Sequence, residues 1–201
     1  MTQRVGLAIM RTMPLHEGHT RIASRMINAH DVVIIGCGSA NKPITIQNPF
    51  SVEVRMEMWD RLYGMRVKLV PLADLGATKD TNEWCDYVLK KIQGLGLPNP
   101  TDYYTGSPAD AIWYRGRFFN KECGSPADDN PEDFVARYMP NGVFRQLHLE
   151  ERTQNYIPSA TELRQFLVTR NDGWKRWVPA VIHDLVEEHF PEEFKVGHED
   201  K

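Results

Sequence analysis

Cysteine is scarce in this chain, and its three copies, Cys37, Cys85 and Cys123, are scattered without a CxxC pair. That pattern gives no disulfide framework and argues against a zinc site; it suits a reducing compartment. Long apolar runs are missing as well. No stretch approaches the roughly 18 residues that suggest a membrane-spanning helix. The opening MTQRVGLAIM lacks the longer apolar run of a secretion signal. No membrane partner is expected, and a cytoplasmic setting is. A basic excess is absent too, since 24 Lys and Arg face 27 Asp and Glu for a formal net charge of -3. Nucleic-acid duplexes usually demand a basic face, so no nucleic-acid partner is expected. A small phosphorylated substrate needs only a local cluster of cations. Internal repeats are also lacking.

What is there reads as globular. The 201 residues are 41% hydrophobic and 25% charged, outside the range of disordered chains. That length suits one domain with decorations, or one domain and a small lobe. Val5 to Met10 is a short apolar run that predicts a buried strand. Arg11 to Leu15 follows as a loop interrupted by Pro14. Gly18 to Ala29 has Ile22, Ala23, Met26 and Ile27 at helical spacing. Val32 to Gly36 is a second buried strand, closed by Gly36-Cys37-Gly38-Ser39. A strand-loop-helix-strand order implies a parallel sheet with crossover helices.

The same logic continues along the chain. Asn48-Pro49 predicts a helix start, with Pro49 in the first turn and the end near Tyr63. Val67 to Pro71 is a third strand. Asn82 to Gln93 is a helix, stopped by Gly94 and Gly96. Tyr103 to Thr105 is a fourth strand, and Val143 to Leu149 a fifth. Asn130-Pro131 predicts a short helix through Tyr138. Ser159-Ala160-Thr161-Glu162 matches a capping box. Helices over Glu162 to Val168 and Pro179 to Phe190 follow, and the charged tail beyond Pro191 is expected to fray. The expected class is thus α/β, with a sheet of about five strands flanked by helices and a small C-terminal helical part.

Two segments carry chemistry. Arg11-Thr12-Met13-Pro14-Leu15-His16-Glu17-Gly18-His19 follows the first strand and opens the first helix. Backbone N–H groups at a helix start attract phosphate, and Gly18 permits a close approach. His16 and His19 lie three apart, so both can face one ligand and donate hydrogen bonds to phosphoryl oxygens. Ser159-Ala160-Thr161-Glu162-Leu163-Arg164 opens a late helix, with two hydroxyls and a forked cation one turn in. Taken separately, either segment is equally an ordinary helix start with satisfied polar groups.

Together they resemble the HxGH-type nucleotidyltransferases, whose late motif runs Ser-x-Thr-x-x-Arg; Ser159, Thr161 and Arg164 match it. Within that superfamily the chain is similar to archaeal-type nicotinamide-nucleotide (NMN) adenylyltransferases. Gly38-Ser39-Ala40, Asn48-Pro49-Phe50 with Arg55, Asn82-Glu83-Trp84 and Tyr104-Thr105-Gly106-Ser107-Pro108 resemble that family's intervening segments. The resemblance covers roughly residues 4 to 108 and 143 to 189. It implies a Rossmann-like core over residues 1–155, with an insertion at 109–142. It also implies a C-terminal phosphate-binding turn and helices over 156–201, and a homo-oligomer.

The resemblance further implies transfer of the adenylyl group of ATP to NMN, giving NAD and pyrophosphate, with Mg2+ required. His16, His19, Arg11 and Arg164 become the catalytic candidates. Met10, Gly18, Gly106, Ser159 and Thr161 join them around ATP. Gly38, Ser39, Asn48, Phe50, Arg55, Asn82 and Trp84 become the mononucleotide candidates, with Trp84 beside the nicotinamide ring. No protein metal ligand is expected; Mg2+ would be held by phosphates and water.

Three departures stand out. Several relatives carry Arg or Lys where this chain has Gln47, and Lys42 is the nearest replacement. Ala160 stands where glycine is common. Residues 109–142 are longer than expected and mix Trp113, Tyr114, Arg115, Arg117, Phe118, Phe119 and Arg137. That segment reads as a surface insertion anchored by aromatics, or as a lid or subunit contact. No hydrolase-like domain of the kind fused in some relatives is expected. Competing readings are transfer to nicotinate mononucleotide, phosphopantetheine, FMN or a choline-like phosphate, adenylyl or cytidylyl in kind. A nucleotide-binding regulator without catalysis is another. RNA binding through the 113–119 stretch is disfavoured by the net charge.

Overall fold

Apolar residues run almost unbroken through two early segments because both are strands buried on two faces. They are β1 (Val5–Met10) and β2 (Val32–Cys37). The computed structural model describes residues 3–76, 81–106, 135–138, 145–149 and 157–196; for 81–82, 135–138 and 145–149 it describes the backbone. The remaining elements are α1 (Glu17–Ala29), α2 (Val52–Tyr63), β3 (Lys68–Pro71), α3 (Thr81–Gly94) and β4 (Asp102–Thr105). After them come β5 (Val135–Tyr138), β6 (Arg145–Leu149), α4 (Ala160–Val168) and α5 (His183–His189).

The sheet order is β3-β2-β1-β4-β6-β5. All neighbours are parallel except β5, which runs antiparallel to β6. The chain builds outward from β1 through β2 to β3, then returns to the other side of β1 for β4. That reversal opens a crevice beyond the carboxyl ends of β1 and β4.

Alternation along the strands sends side chains to two cores. Ala8, Met10, Val33, Ile35, Cys37 and Tyr104 face α1 and α2. Val5, Leu7, Ile34, Val70 and Tyr103 face α3 through its Cys85, Val88 and Ile92. Among the described residues, the C-terminal helices pack into the first of these cores. Leu163 and Leu167 of α4, Trp174, Val178, Ile182, and Leu185 and Val186 of α5 share the cluster of Ile22, Met26, Met58 and Trp59.

Four local expectations are corrected. Helix α2 starts after Ser51, whose hydroxyl caps the Val54 N–H at 3.3 Å, so Pro49 lies upstream of the helix. Residues 135–138 form an edge strand rather than the end of a helix, because a ladder to β6 outcompetes local helix propensity. Among the described residues the sheet therefore has six strands. The helix expected from Pro179 is a 3₁₀ turn, Ala180–Ile182, followed by α5. The tail is docked as far as Val196, whose N–H donates to the Val168 carbonyl at 2.8 Å. Arg170 pairs with Glu192 beside it.

Of the expected insertion at 109–142, all but Val135–Tyr138 lies outside the described residues, Trp113 to Phe119 included. Among the described residues, no helix is long and apolar enough to cross a membrane. Leu163 is fully buried on α4. Leu163→Ala should cost about 2–5 kcal/mol in a urea unfolding curve that stays a single transition. Separate melting of the C-terminal helices would contradict the shared core.

Candidate active site

A cleft of about 510 Å³ opens where β1 and β4 end. Met10, Arg11, Thr12 and Met13 form its floor, and His16, Gly18 and His19 one wall. Ser159, Ala160, Thr161 and Arg164 face them. Gly38, Ser39, Asp74 and Trp84 form the other end, with Gly106 at the β4 side. Distant segments meet here because parallel strands deliver their carboxyl ends to the same edge.

The two histidines are locked by a reciprocal cap at the start of α1. His16 is the N-cap, and its Nδ1 accepts the Gly18 N–H at 3.1 Å. The Nδ1 of His19 accepts the His16 N–H at 3.2 Å. An imidazole whose Nδ1 accepts must carry its neutral-state proton on Nε2. Both rings are therefore set as Nε2–H donors, with centroids 4.0 Å apart. Gly18 is required by contact: a Cβ there would lie 2.9 Å from His16 Cε1.

This cap corrects one sequence expectation. The amides of the first turn of α1 are not an open phosphate cradle. Glu17 N–H donates to the Trp177 carbonyl at 2.8 Å, Gly18 N–H to the His16 ring, and His19 N–H to the His16 carbonyl at 2.9 Å. What this wall offers the cleft is therefore side chains rather than open amides.

On the facing wall, Ser159 caps α4 in the expected box. Its N–H and hydroxyl donate to Glu162 Oε2 at 2.7 and 2.8 Å, and its Oγ accepts the Glu162 N–H at 3.2 Å. Arg164 donates to the Met13 carbonyl at 2.9 Å and to Thr161 Oγ1 at 3.0 Å, which aims its fork across the cleft floor. Burial, then the positive charge of Arg11, holds the Arg164 guanidinium below the ordinary arginine range. Two cations thus oppose each other in the cleft, an arrangement that a polyanion relieves.

The other end is organised by a carboxylate absent from the sequence candidates. Asp74 accepts from the Ser39 hydroxyl at 3.1 Å and pairs with Lys42 at 3.5 Å. Asn41 and Asp74 exchange two further bonds, side chain to backbone, at 3.0 and 2.8 Å. Lys42 is thereby committed to Asp74 and does not line the cleft. One signal was available: Asp74 follows the end of β3, and strand carboxyl ends line such crevices. Trp84 projects from α3 into the cleft while also packing on the Val5–Leu7 core. The side chain of Asn82 lies outside the described residues.

Three mononucleotide candidates do not line the cleft. Phe50 is buried and lies against Phe190, ring centroids 6.1 Å apart, so it is a core residue. Asn48 closes its own loop, its N–H donating to the Thr45 carbonyl at 2.9 Å. Arg55 is 1% exposed and binds backbone carbonyls. Cys37 is buried and does not line the cleft, and burial pushes its thiol up to about 11.

Among the described residues, no three His, Cys, Asp or Glu side chains converge as a metal site. A separable outcome follows from the histidine cap. His16→Ala should cost about 1 kcal/mol of unfolding free energy, the usual worth of a cap. His16→Asn should restore that stability without restoring turnover. Equal stability of all three chains by urea titration would show that the cap bears no weight.

Residues 14–98 match the family model described as cytidylyltransferase-like. The chain is 42% identical over 188 residues to nicotinamide-nucleotide adenylyltransferase of Thermococcus sibiricus, covering 91% of this chain and 83% of that protein. Its fold is similar to Plasmodium falciparum nicotinic acid mononucleotide adenylyltransferase, with a TM-score of 0.62 at 12% identity over 98% of this chain and 100% of that one. It is also similar to a bifunctional NMN adenylyltransferase/ADP ribose pyrophosphatase from Francisella tularensis, with a TM-score of 0.59 at 22% identity. That match takes in 82% of this chain and 42% of the bifunctional one, so the chain spans less than half of that protein.

Proposed function

The chain belongs to the nicotinamide-nucleotide adenylyltransferase family, and from that premise we propose that it transfers the adenylyl group of ATP to NMN, forming NAD and pyrophosphate. The observation that carries this reading is a single cleft with a cationic, imidazole-lined end and an aromatic, acidic end. The first end suits a triphosphate, and the second suits a positively charged nicotinamide ring.

The attacking group is a 5'-phosphate oxygen of NMN, already anionic, so no strong base is needed. Its bond to the α-phosphorus forms as the bond from that phosphorus to the bridging oxygen breaks, and pyrophosphate leaves with the electron pair. The protein's part is alignment and charge stabilisation. His16 and His19 donate Nε2–H hydrogen bonds to phosphoryl oxygens. Arg11 and Arg164 hold the departing pyrophosphate, whose negative charge offsets the repulsion between the two cations. Thr161, fixed by Arg164, and Ser159 set the position of α4 against the same oxygens.

A magnesium ion suits this donor set only as a companion of the nucleotide, carried on phosphate oxygens and water, where it would neutralise triphosphate charge. The face of Trp84 attracts the cationic ring. The Asp74 carboxylate favours NMN over its nicotinate counterpart, whose carboxylate it repels.

ATP, Mg2+ and each of NMN, nicotinate mononucleotide and phosphopantetheine, with pyrophosphate and product followed, test the reading directly. NAD formation is expected. No product with any acceptor would sink it. His19→Ala should lower kcat by about 10²–10³-fold. Trp84→Ala should chiefly raise the KM for NMN, by about tenfold. Asp74→Asn should narrow the preference for NMN over the nicotinate form. Full activity after losing His19 would remove it from the mechanism.

A further inference from the structure

Arg55 was expected to touch the mononucleotide, yet its guanidinium is spent inside the protein. Nη1 donates to the Arg11 carbonyl at 2.8 Å and to the Gly38 carbonyl at 2.7 Å. Nη2 donates to the Ser39 carbonyl at 3.3 Å, and Nε to the Ser51 carbonyl of its own helix, also at 3.3 Å. The first of these carbonyls belongs to the loop after β1, and the next two to the loop after β2. One buried cation therefore bridges two of the loops that line the cleft.

Both loops hold a non-glycine residue in the left-handed region. Thr12 has φ 50 and Ser39 has φ 54. A β-branched residue in that region is a genuine outlier. Such a conformation persists only where its surroundings over-determine it. The carbonyl of Arg11 belongs to the peptide immediately before Thr12. Those of Gly38 and Ser39 belong to the peptides on either side of Ser39. Arg55 thus grips at least one peptide group beside each strained residue, and the two loops are also joined directly, the Gly38 N–H donating to the Met10 carbonyl at 3.0 Å. The Arg55 guanidinium makes its hydrogen bonds to carbonyls; burial is the main influence holding it below the ordinary arginine range, Arg11 adds to that, and the carboxylates of Glu53 and Asp74 act against it.

We infer that Arg55 is a positioning residue that holds the triphosphate loop and the mononucleotide loop in one strained, mutually fixed arrangement, so that each ligand's site depends on it without touching it. The inference rests on the two-ended reading of the cleft given above. Lysine is no substitute. It has charge but no planar fork, and a single ammonium cannot follow the directions of three carbonyls from two loops.

The test is Arg55→Lys, alone and combined with Thr12→Gly and Ser39→Gly, since glycine accepts positive φ without strain. ATP and NMN are titrated separately by calorimetry, and kcat and KM are measured with both. Arg55→Lys should weaken each ligand by about tenfold, because apparent affinity falls with the fraction of competent loop. The two glycine substitutions should restore a large part of both affinities in the Arg55→Lys chain. A loss confined to one ligand, or no loss, overturns the inference. Loss of activity with both affinities intact overturns it too. Arg55→Lys that stays unfolded even with the two glycines marks Arg55 as a core residue only, and the inference falls. The ATP titration needs no acceptor. Should the native chain fail to make NAD, the function reading fails while ATP binding still judges Arg55.

Discussion

Parallel pairing on both sides of β1 is the constraint from which the site follows. Four strands, β3, β2, β1 and β4, deliver their carboxyl ends to one edge, and the order reverses beside β1. Loops after β1, β2, β3 and β4 must then converge, although their residues are separated by tens of positions. Arg11, Ser39, Asp74 and Gly106 each follow a different strand and line one cleft. Helix α4 completes it because Leu163 and Leu167 bury against α1 and α2, which brings Arg164 to the Met13 carbonyl.

Polar groups in this cleft have been divided between holding and reaching. Each histidine spends Nδ1 on the backbone, which decides where its neutral-state proton sits. Arg164 spends two donors on the loop floor and Arg55 spends its fork on two loops. Burying a guanidinium without a carboxylate partner costs several kcal/mol, while each hydrogen bond from a charged donor returns about 1.5–3 kcal/mol. That balance closes only if all the carbonyls stay in place, so the buried cation and the loop geometry enforce each other. Preorganised donors of this kind need no rearrangement as charge shifts from the α-phosphate to pyrophosphate.

Much of this was legible in one dimension, and for identifiable reasons. The apolar runs of β1 and β2, the helical spacing of Ile22, Ala23 and Met26, and the Ser159–Glu162 box are local patterns with local causes. The His16–His19 and Ser159–Arg164 segments were visible because their residue types and spacing carry chemistry. Less legible were the boundaries decided by competition. Ser51 rather than Asn48 starts α2, because a hydroxyl at the right position caps it. Residues 135–138 became a strand because β6 lies alongside, and no local preference announces a neighbour.

By itself, then, the sequence determined the class of sheet, the two helix-start segments that line the cleft and the kind of chemistry, since these depend on short-range periodicity and on residue type. Tertiary structure alone decided what each polar group does with its hydrogen bonds. It closed the first-turn amides of α1, moved Phe50 into the core, brought Asp74 into the cleft and turned Arg55 inward. The physical reason is that a donor's role is set by the nearest acceptor in space. For Arg55 two of those acceptors lie 17 and 44 residues away along the chain.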